Sequence, residues 1–168
     1  ALEHLRRPDG RLWKRSAGGV AAVDGVLDDS AYLAWGLLEL YEADGDPRWL
    51  REGIQVADML VGQFQGDASG GFFRAAHSAE TLVLRTQPTS DSSLPSPSAV
   101  AIRDLLRLAR ITGSAAYEQH ARAALHACAA DVSRDPIGHA EMLAAYDLLL
   151  APSLEIVIAG PRGGADTA

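Results

Sequence analysis

The chain reads as mainly α, a single domain over residues 1–168 built from repeated helical hairpins of the kind that ring a central pocket. Three observations predict this. Two polar segments, Leu27-Asp28-Asp29-Ser30-Ala31 and the proline-punctuated run from Arg85 to Ala99, each lead straight into a long apolar helix. The helical hairpin then returns, without a gap, after a shift of 68 residues. Hydrophobic residues make up 48% of 168 positions, enough apolar mass for a core.

The first hairpin opens with a helix over 30–43, for which Asp29 or Ser30 supplies the capping oxygen. Leu33, Gly36, Leu37 and Leu40 form one stripe, and Ala34, Leu38 and Tyr41 widen it until most sides are apolar, which predicts burial. Asp44-Gly45-Asp46-Pro47 ends that helix and starts its partner, with Gly at the C-terminal cap and Pro at the first position of the next. The partner, over 47–64, is amphipathic: Trp49, Leu50, Ile54, Ala57, Leu60 and Val61 oppose Arg48, Arg51, Glu52, Gln55 and Asp58. An inner helix is thus followed by an outer one. The 68-residue shift lays Ser98-Ala99 on Ser30-Ala31, Leu105-Leu106 on Leu37-Leu38, Leu108 on Leu40, Gly113 on Gly45 and Tyr117 on Trp49. It predicts a second hairpin of helices over 97–111 and 115–131, with Leu37, Leu40, Leu105 and Leu108 buried on the inner helices. A last helix follows Asp135-Pro136 and runs to about residue 150.

The connections are rich. Residues 8–27 hold several Gly and Pro, and Arg11-Leu12-Trp13-Lys14-Arg15 alternates like a short strand. The 65–96 loop is longer than compact domains keep without a purpose, and its Gly70–Arg74 and Leu82–Arg85 runs suggest a short β-hairpin. Residues 154–160 have strand composition, and an orphan strand there implies a pairing partner further on.

Composition excludes several classes of function. Fifteen basic against 22 acidic residues leave a net charge of −7, with no basic cluster for nucleic acid or an anionic membrane. No apolar run reaches membrane-spanning length and the first residues lack a signal-peptide pattern, so a soluble cytoplasmic protein is expected. The lone Cys128 sits in an apolar helical run and reads as a buried, inert thiol. His77, His120, His126 and His139 show no ligand spacing with a carboxylate, so neither a metal site nor a cofactor is expected. Lysine occurs once, at Lys14, against fourteen arginines, a bias that suggests a GC-rich bacterial genome.

Candidate chemistry gathers at the helix entries. Asp28, Asp29 and Asp91 are the acidic residues nearest them, and carboxylates from different hairpins can converge there for acid/base work. Helix capping by Asp28 and Asp29, and an Asx-turn at Asp91, are the structural alternatives. Trp13 and Phe72 are candidate stacking platforms for a sugar, with Arg85 as a hydrogen-bonding partner; filling the end of the core is the alternative for Phe72 and its neighbour Phe73.

These residues carry a resemblance. Leu27-Asp28-Asp29-Ser30-Ala31, Leu37–Ala43, Trp49-Leu50, Gly70-Gly71-Phe72-Phe73, Arg85, Asp91, Pro95-Ser96 and the 152–160 segment together resemble the C-terminal part of the thioredoxin-domain proteins related to spermatogenesis-associated protein 20. The likeness covers most of the chain, in order. It implies a portion of an (α/α)6 barrel of the six-hairpin glycosidase type, similar also to sugar epimerases, and hence carbohydrate-related chemistry. Nothing here resembles the thioredoxin domain of that family. Ser30, where the family has Tyr, Pro97-Ser98, where it has Gly-Asn, and Gln87, where it has a basic residue, depart from its pattern at the loop entries. The resemblance also implies a barrel entered midway, a fragment or a degenerate relative.

Two readings follow. One is a carbohydrate-processing hydrolase or epimerase that uses Asp28, Asp29 and Asp91 with Trp13, Phe72 and Arg85. The other is a non-catalytic helical module with a vestigial pocket, which self-associates or binds another polypeptide that completes the ring.

Overall fold

The computed structural model describes residues 2–67, 69–79, 85–152, 154 and 156. A short helix α1 (Leu2–Leu5) precedes an antiparallel hairpin of β1 (Trp13–Ala17) and β2 (Val20–Asp24). Ala17 pairs with Val20 across a two-residue Gly18-Gly19 turn in which both glycines have positive φ, at 58° and 80°. That geometry is the one a tight β-hairpin demands and that only glycine adopts cheaply. The alternation read over 11–15 therefore continues into a paired strand.

Five longer helices follow: α2 (Leu27–Asp44), α3 (Pro47–Phe64), α4 (Pro97–Thr112), α5 (Ala115–Arg134) and, after a 3₁₀ turn at Ile137–His139, α6 (Ala140–Leu150). The chain is mainly helical, as its periodicity predicts. The turns at Gly45 and Gly113 carry nearly the same left-handed φ, 69° and 70°, and the Gly45 and Gly113 amides bond back to the Tyr41 and Ala109 carbonyls.

Helix α2 begins three residues before the expected start, and neither Asp29 nor Ser30 caps it. Val26 occupies the cap position, and the Asp29 carboxylate reaches back to accept the Val26 amide at 2.8 Å. An acceptor at the third helical position does this as well as one at the cap, and both aspartates gain from the first-turn dipole. Ser30 is buried.

Helices α2, α4 and α6 form an inner row, with α3 packed on α2 and α5 packed on α4. The row is parallel. Trp35 and Glu39 of α2 meet Arg103 and Arg107 of α4, while Arg103 and Arg110 of α4 meet Glu141 and the Leu148 carbonyl of α6. Equal steps along each partner are possible only for helices that run the same way. The core lies between rows: Leu38, Leu60, Phe64, Ile102, Leu105, Leu108, Leu125 and Met142 are all fully buried. Leu40 is the exception among the four leucines expected inside. It is 45% exposed, because among the described residues α2 has an inner-row neighbour, α4, on one side only.

The β-hairpin expected in the 65–96 loop rests on residues 82–84, which lie outside the described residues, as does most of the expected 154–160 strand. Within the described part of that loop, Phe72 pairs with Gln65 in an isolated bridge.

Candidate functional site

A parallel inner row puts the N-termini of α2, α4 and α6 at one end, the mouth. The long loop closes over it. Its Arg74 carbonyl accepts the Leu27 amide at 3.0 Å, and the Arg74 amide donates to Thr86 at 2.9 Å, so both limbs of the loop run beside the start of α2. Between the β-hairpin and α2 lies a cleft of about 300 Å³ lined by Leu5, Leu12, Trp13, Lys14, Asp29, Tyr32 and Leu33. Tyr32 stands at the junction, its hydroxyl donating to the Pro95 carbonyl at 2.7 Å. Burial, reinforced by the negative charges of Asp28, Asp91 and Glu141 and opposed by Arg74, holds this phenol above its ordinary pKa.

Each residue singled out from sequence has a definite place. Asp29 lines the cleft with one oxygen committed to Val26. Asp28 is ion-paired through Oδ1 to Arg74 at 2.7 Å, while its Oδ2 is buried without a partner among the described residues. Trp13 lines the cleft with the Arg7 guanidinium stacked on its ring, 4.3 Å from the centroid. Arg85 is tied within its own loop: it donates to the Ala75 carbonyl at 2.8 Å, approaches His77 Nδ1 at 3.4 Å and stacks on Phe73. Phe72 is 1% exposed and packs in the core, so the platform expected of it is corrected to the alternative of filling the helical core. Its neighbour Phe73 carries the Arg85 stack instead.

Asp91 differs from what its loop position suggests. Its Oδ1 accepts the Ser96 amide at 2.7 Å and its Oδ2 accepts the Glu141 amide at 2.9 Å. Both oxygens are spent on main-chain donors, one at the entry to α4 and one at the entry to α6. The neighbouring Ser90 hydroxyl lies 3.3 Å from His139 Nε2, and the Asp91 amide donates to Gly138. This short segment therefore fastens the start of α6 at three points.

Sequence reading missed two groups. Glu141, in the first turn of α6, pairs with Arg103 at 2.5 Å, and its side chain is only 16% exposed. The 103–141 pairing joins distant segments, and no local spacing announces it. Asp104 lies inside α4, 1% exposed, with neither carboxylate oxygen hydrogen-bonded among the described residues. Burial pushes its pKa well above the carboxylate range, against the pull of Arg107 and Arg103. Only its interruption of an apolar stretch hints at this.

Elsewhere, a larger concavity of about 410 Å³ sits by the outer row, lined by Val61, Gln65, Gly66, His120 and neighbouring residues. Gln65 and His120 are engaged with one another and the loop: Gln65 bonds to the Gly70 and His120 carbonyls and to His120 Nδ1. Cys128 is buried, its thiol pushed up to about 11 by burial and by Asp131. Among the described residues, no group of three or more metal-ligating side chains assembles and no helix is long and apolar enough to cross a membrane.

No protein-family model matches the chain. It is 32% identical over 144 residues to spermatogenesis-associated protein 20 of Homo sapiens, an alignment that covers 85% of this chain and 18% of the human protein. The chain is related to the spermatogenesis-associated protein 20 family. The proteins of the same name from Rattus norvegicus and Mus musculus are each 31% identical over the same shares. The chain thus spans less than a fifth of the length of these relatives. They are mammalian, so they lend no support to the bacterial source suggested by the arginine bias.

Proposed function

We propose that the mouth of the inner row binds a carbohydrate and performs acid/base chemistry on it, as a hydrolase or an epimerase of the six-hairpin glycosidase type. One observation carries this reading: a cleft in which an indole face (Trp13) stands with a carboxylate (Asp29) and a phenol (Tyr32), and with a second carboxylate (Asp28) in the same helical turn. An apolar ring with polar groups at its edge suits a pyranose, whose C–H face stacks while its hydroxyls hydrogen-bond. Asp28 and Asp29 supply the chemistry and Trp13 the platform. Arg85 holds its own loop through the Ala75 carbonyl and Phe73, and Asp91 serves the mouth by holding the entries of α4 and α6. Saturation-transfer NMR against a panel of mono- and disaccharides tests the binding. Ring-proton saturation that disappears in Trp13→Ala is the expected result, and no saturation with any sugar removes the reading.

A second reading, a helical interaction module, draws on the free side of α6. Among the described residues no helix covers α6 as α3 covers α2, and Leu143 and Leu150 are 42% and 76% exposed. A second copy, or a polypeptide that continues the row, fits such a side. Sedimentation at micromolar concentration distinguishes the two: a monomer that binds sugar favours the first reading, and a dimer without sugar binding favours the second.

A further inference from the structure

The outer helices α3 and α5 are bridged by polar contacts, and a groove runs between them. It joins two concavities, of about 410 Å³ and 310 Å³, which share Val61, Gly62 and His120. Gly62, in the last turn of α3, leaves the floor open: a Cβ there would meet no heavy atom within 4 Å. Glycine is a poor helix former, and here it stands where a side chain would fill the groove.

A chain of hydrogen bonds fixes the imidazole in this groove. The Gln65 amide nitrogen donates to the Gly70 carbonyl at 2.8 Å and to the His120 carbonyl at 3.0 Å. Turning the amide over would set its oxygen against both carbonyls, so Oε1 has to face the ring. There it accepts from His120 Nδ1 at 2.7 Å. Nδ1 therefore carries the proton of the neutral imidazole, and Nε2 keeps its lone pair. Among the described residues Nε2 has no hydrogen-bond partner, and it is not enclosed. Gln65 is only 8% exposed and is itself bridged to Phe72, so the acceptor is held in place.

The other polar groups along the groove are acceptors too. Asp58 lines the smaller concavity and Asp67 the larger, with His120 common to both. Asp58 Oδ1 accepts the Tyr117 hydroxyl at 2.7 Å, and burial together with Asp58 holds that phenol above its ordinary pKa, so it stays a committed donor. Neither concavity is lined by an arginine or a lysine, while Val61, Ala116 and Ala123 give apolar wall. Acceptors spaced along an apolar trough suit a ligand with N–H donors, positive charge and methylene spacers. A metal ion suits them less well, since no group of three or more ligating side chains assembles among the described residues.

We propose that the groove binds a linear aliphatic polyamine, with one ammonium group at Asp58, one at Asp67 and a donor between them on His120 Nε2. The site shares no residue with the cleft of the mouth and does not depend on the carbohydrate reading.

Calorimetric titration of the full chain with butylamine, putrescine and spermidine tests this, together with nitrogen NMR of the histidine rings. Spermidine should bind at least about tenfold more tightly than butylamine and should move the His120 Nε2 signal, while Nδ1 stays protonated. Asp67→Asn should weaken spermidine by about tenfold. Gly62→Leu should abolish binding and leave the melting temperature unchanged or raised, because leucine is the better helix former and enters open space. If that variant fails to fold, Asp67→Asn, at an exposed loop position, decides in its place. The proposal is overturned if spermidine binds no more tightly than butylamine. It is equally overturned if Asp67→Asn and Gly62→Leu bind spermidine as the wild type does, the result that general attraction to an acidic surface would give. Zinc that shifts the His120 signal where spermidine leaves it unmoved overturns it in favour of a metal.

Discussion

The two hairpins, α2–α3 and α4–α5, are the same unit in different company. Positions 68 residues apart share roles wherever local chemistry decides: Gly45 and Gly113 end the inner helices with the same backbone conformation, and Ser30 and Ser98 are both 1% exposed. They part where neighbours decide. Leu40 is 45% exposed, whereas Leu108 is fully buried, because α4 has α2 on one side and α6 on the other. Gly36 lies on an open face of α2, whereas its counterpart Asp104 is enclosed. Equivalent residues even bond to each other: Trp35 stacks under Arg103, and Glu39 pairs with Arg107. A repeat therefore carries two kinds of information, one for folding its own hairpin and one for gripping the next.

The sharpest way to break this comparison is at its leucines. Leu108→Ala should cost about 2–5 kcal/mol, the range for a large-to-small change at a fully buried site. Leu40→Ala should cost less than about 1 kcal/mol, since much of its side chain already meets water. Urea unfolding of both variants measures the difference. Equal losses would mean that Leu40 is covered in solution, as a self-associating chain would make it.

How much was legible follows from the same division. Helix spans, the glycine turns and the inner–outer contrast are local, and they can be read from caps and periodicity alone. The start of α2 is ambiguous in sequence because a carboxylate can satisfy an orphan amide from inside the helix as well as from the cap, and the two spellings look alike in Asp28-Asp29-Ser30. The exposure of Leu40 is not legible because burial depends on how many neighbours a helix has, which its own sequence does not encode. At the site, Trp13, Asp28 and Asp29 could be picked out because they stand at an entry. Glu141 could not, because its meaning comes from Arg103 and Asp91, 38 and 50 residues away. Asp91 could be located, but its task depends on where the main chain of α6 passes.

A second way to sharpen the comparison exploits the enclosed Asp104. Its folded-state pKa is raised by burial, so the folded chain binds a proton more tightly than the unfolded one. The resulting stability is fully present below the unfolded carboxyl pKa of about 4 and is lost as pH rises through the folded value. Asp104→Asn cannot titrate. Its stability relative to wild type should therefore climb with pH across that window, by at most about 1.4 kcal/mol per pH unit for one proton. Parallel unfolding curves for the two proteins from pH 4 to pH 9 would show that α4 does not enclose a titrating carboxyl. Adding a carboxylate at the equivalent site, Gly36→Asp, should produce no such slope, because that position faces open space.

The smallest expected effect concerns the grip itself. Arg107 is 14% exposed and reaches Glu39 at 2.8 Å and Glu42 at 2.7 Å, but these carboxylates are 57% and 53% exposed. Water screens such pairs, so a double-mutant cycle between Glu39→Gln and Arg107→Gln should give a coupling of only about 0.2–1 kcal/mol, weakening with added salt. The value of the pair is register. One turn of slip between α2 and α4 would set Arg107 against a different rung and part Trp35 from Arg103, so the charges forbid neighbouring registers more than they stabilise the right one. If the cycle returned several kcal/mol, the inner face would be shielded from solvent. An additional polypeptide or a second copy would then have to lie across it, the arrangement that the helical-module reading requires.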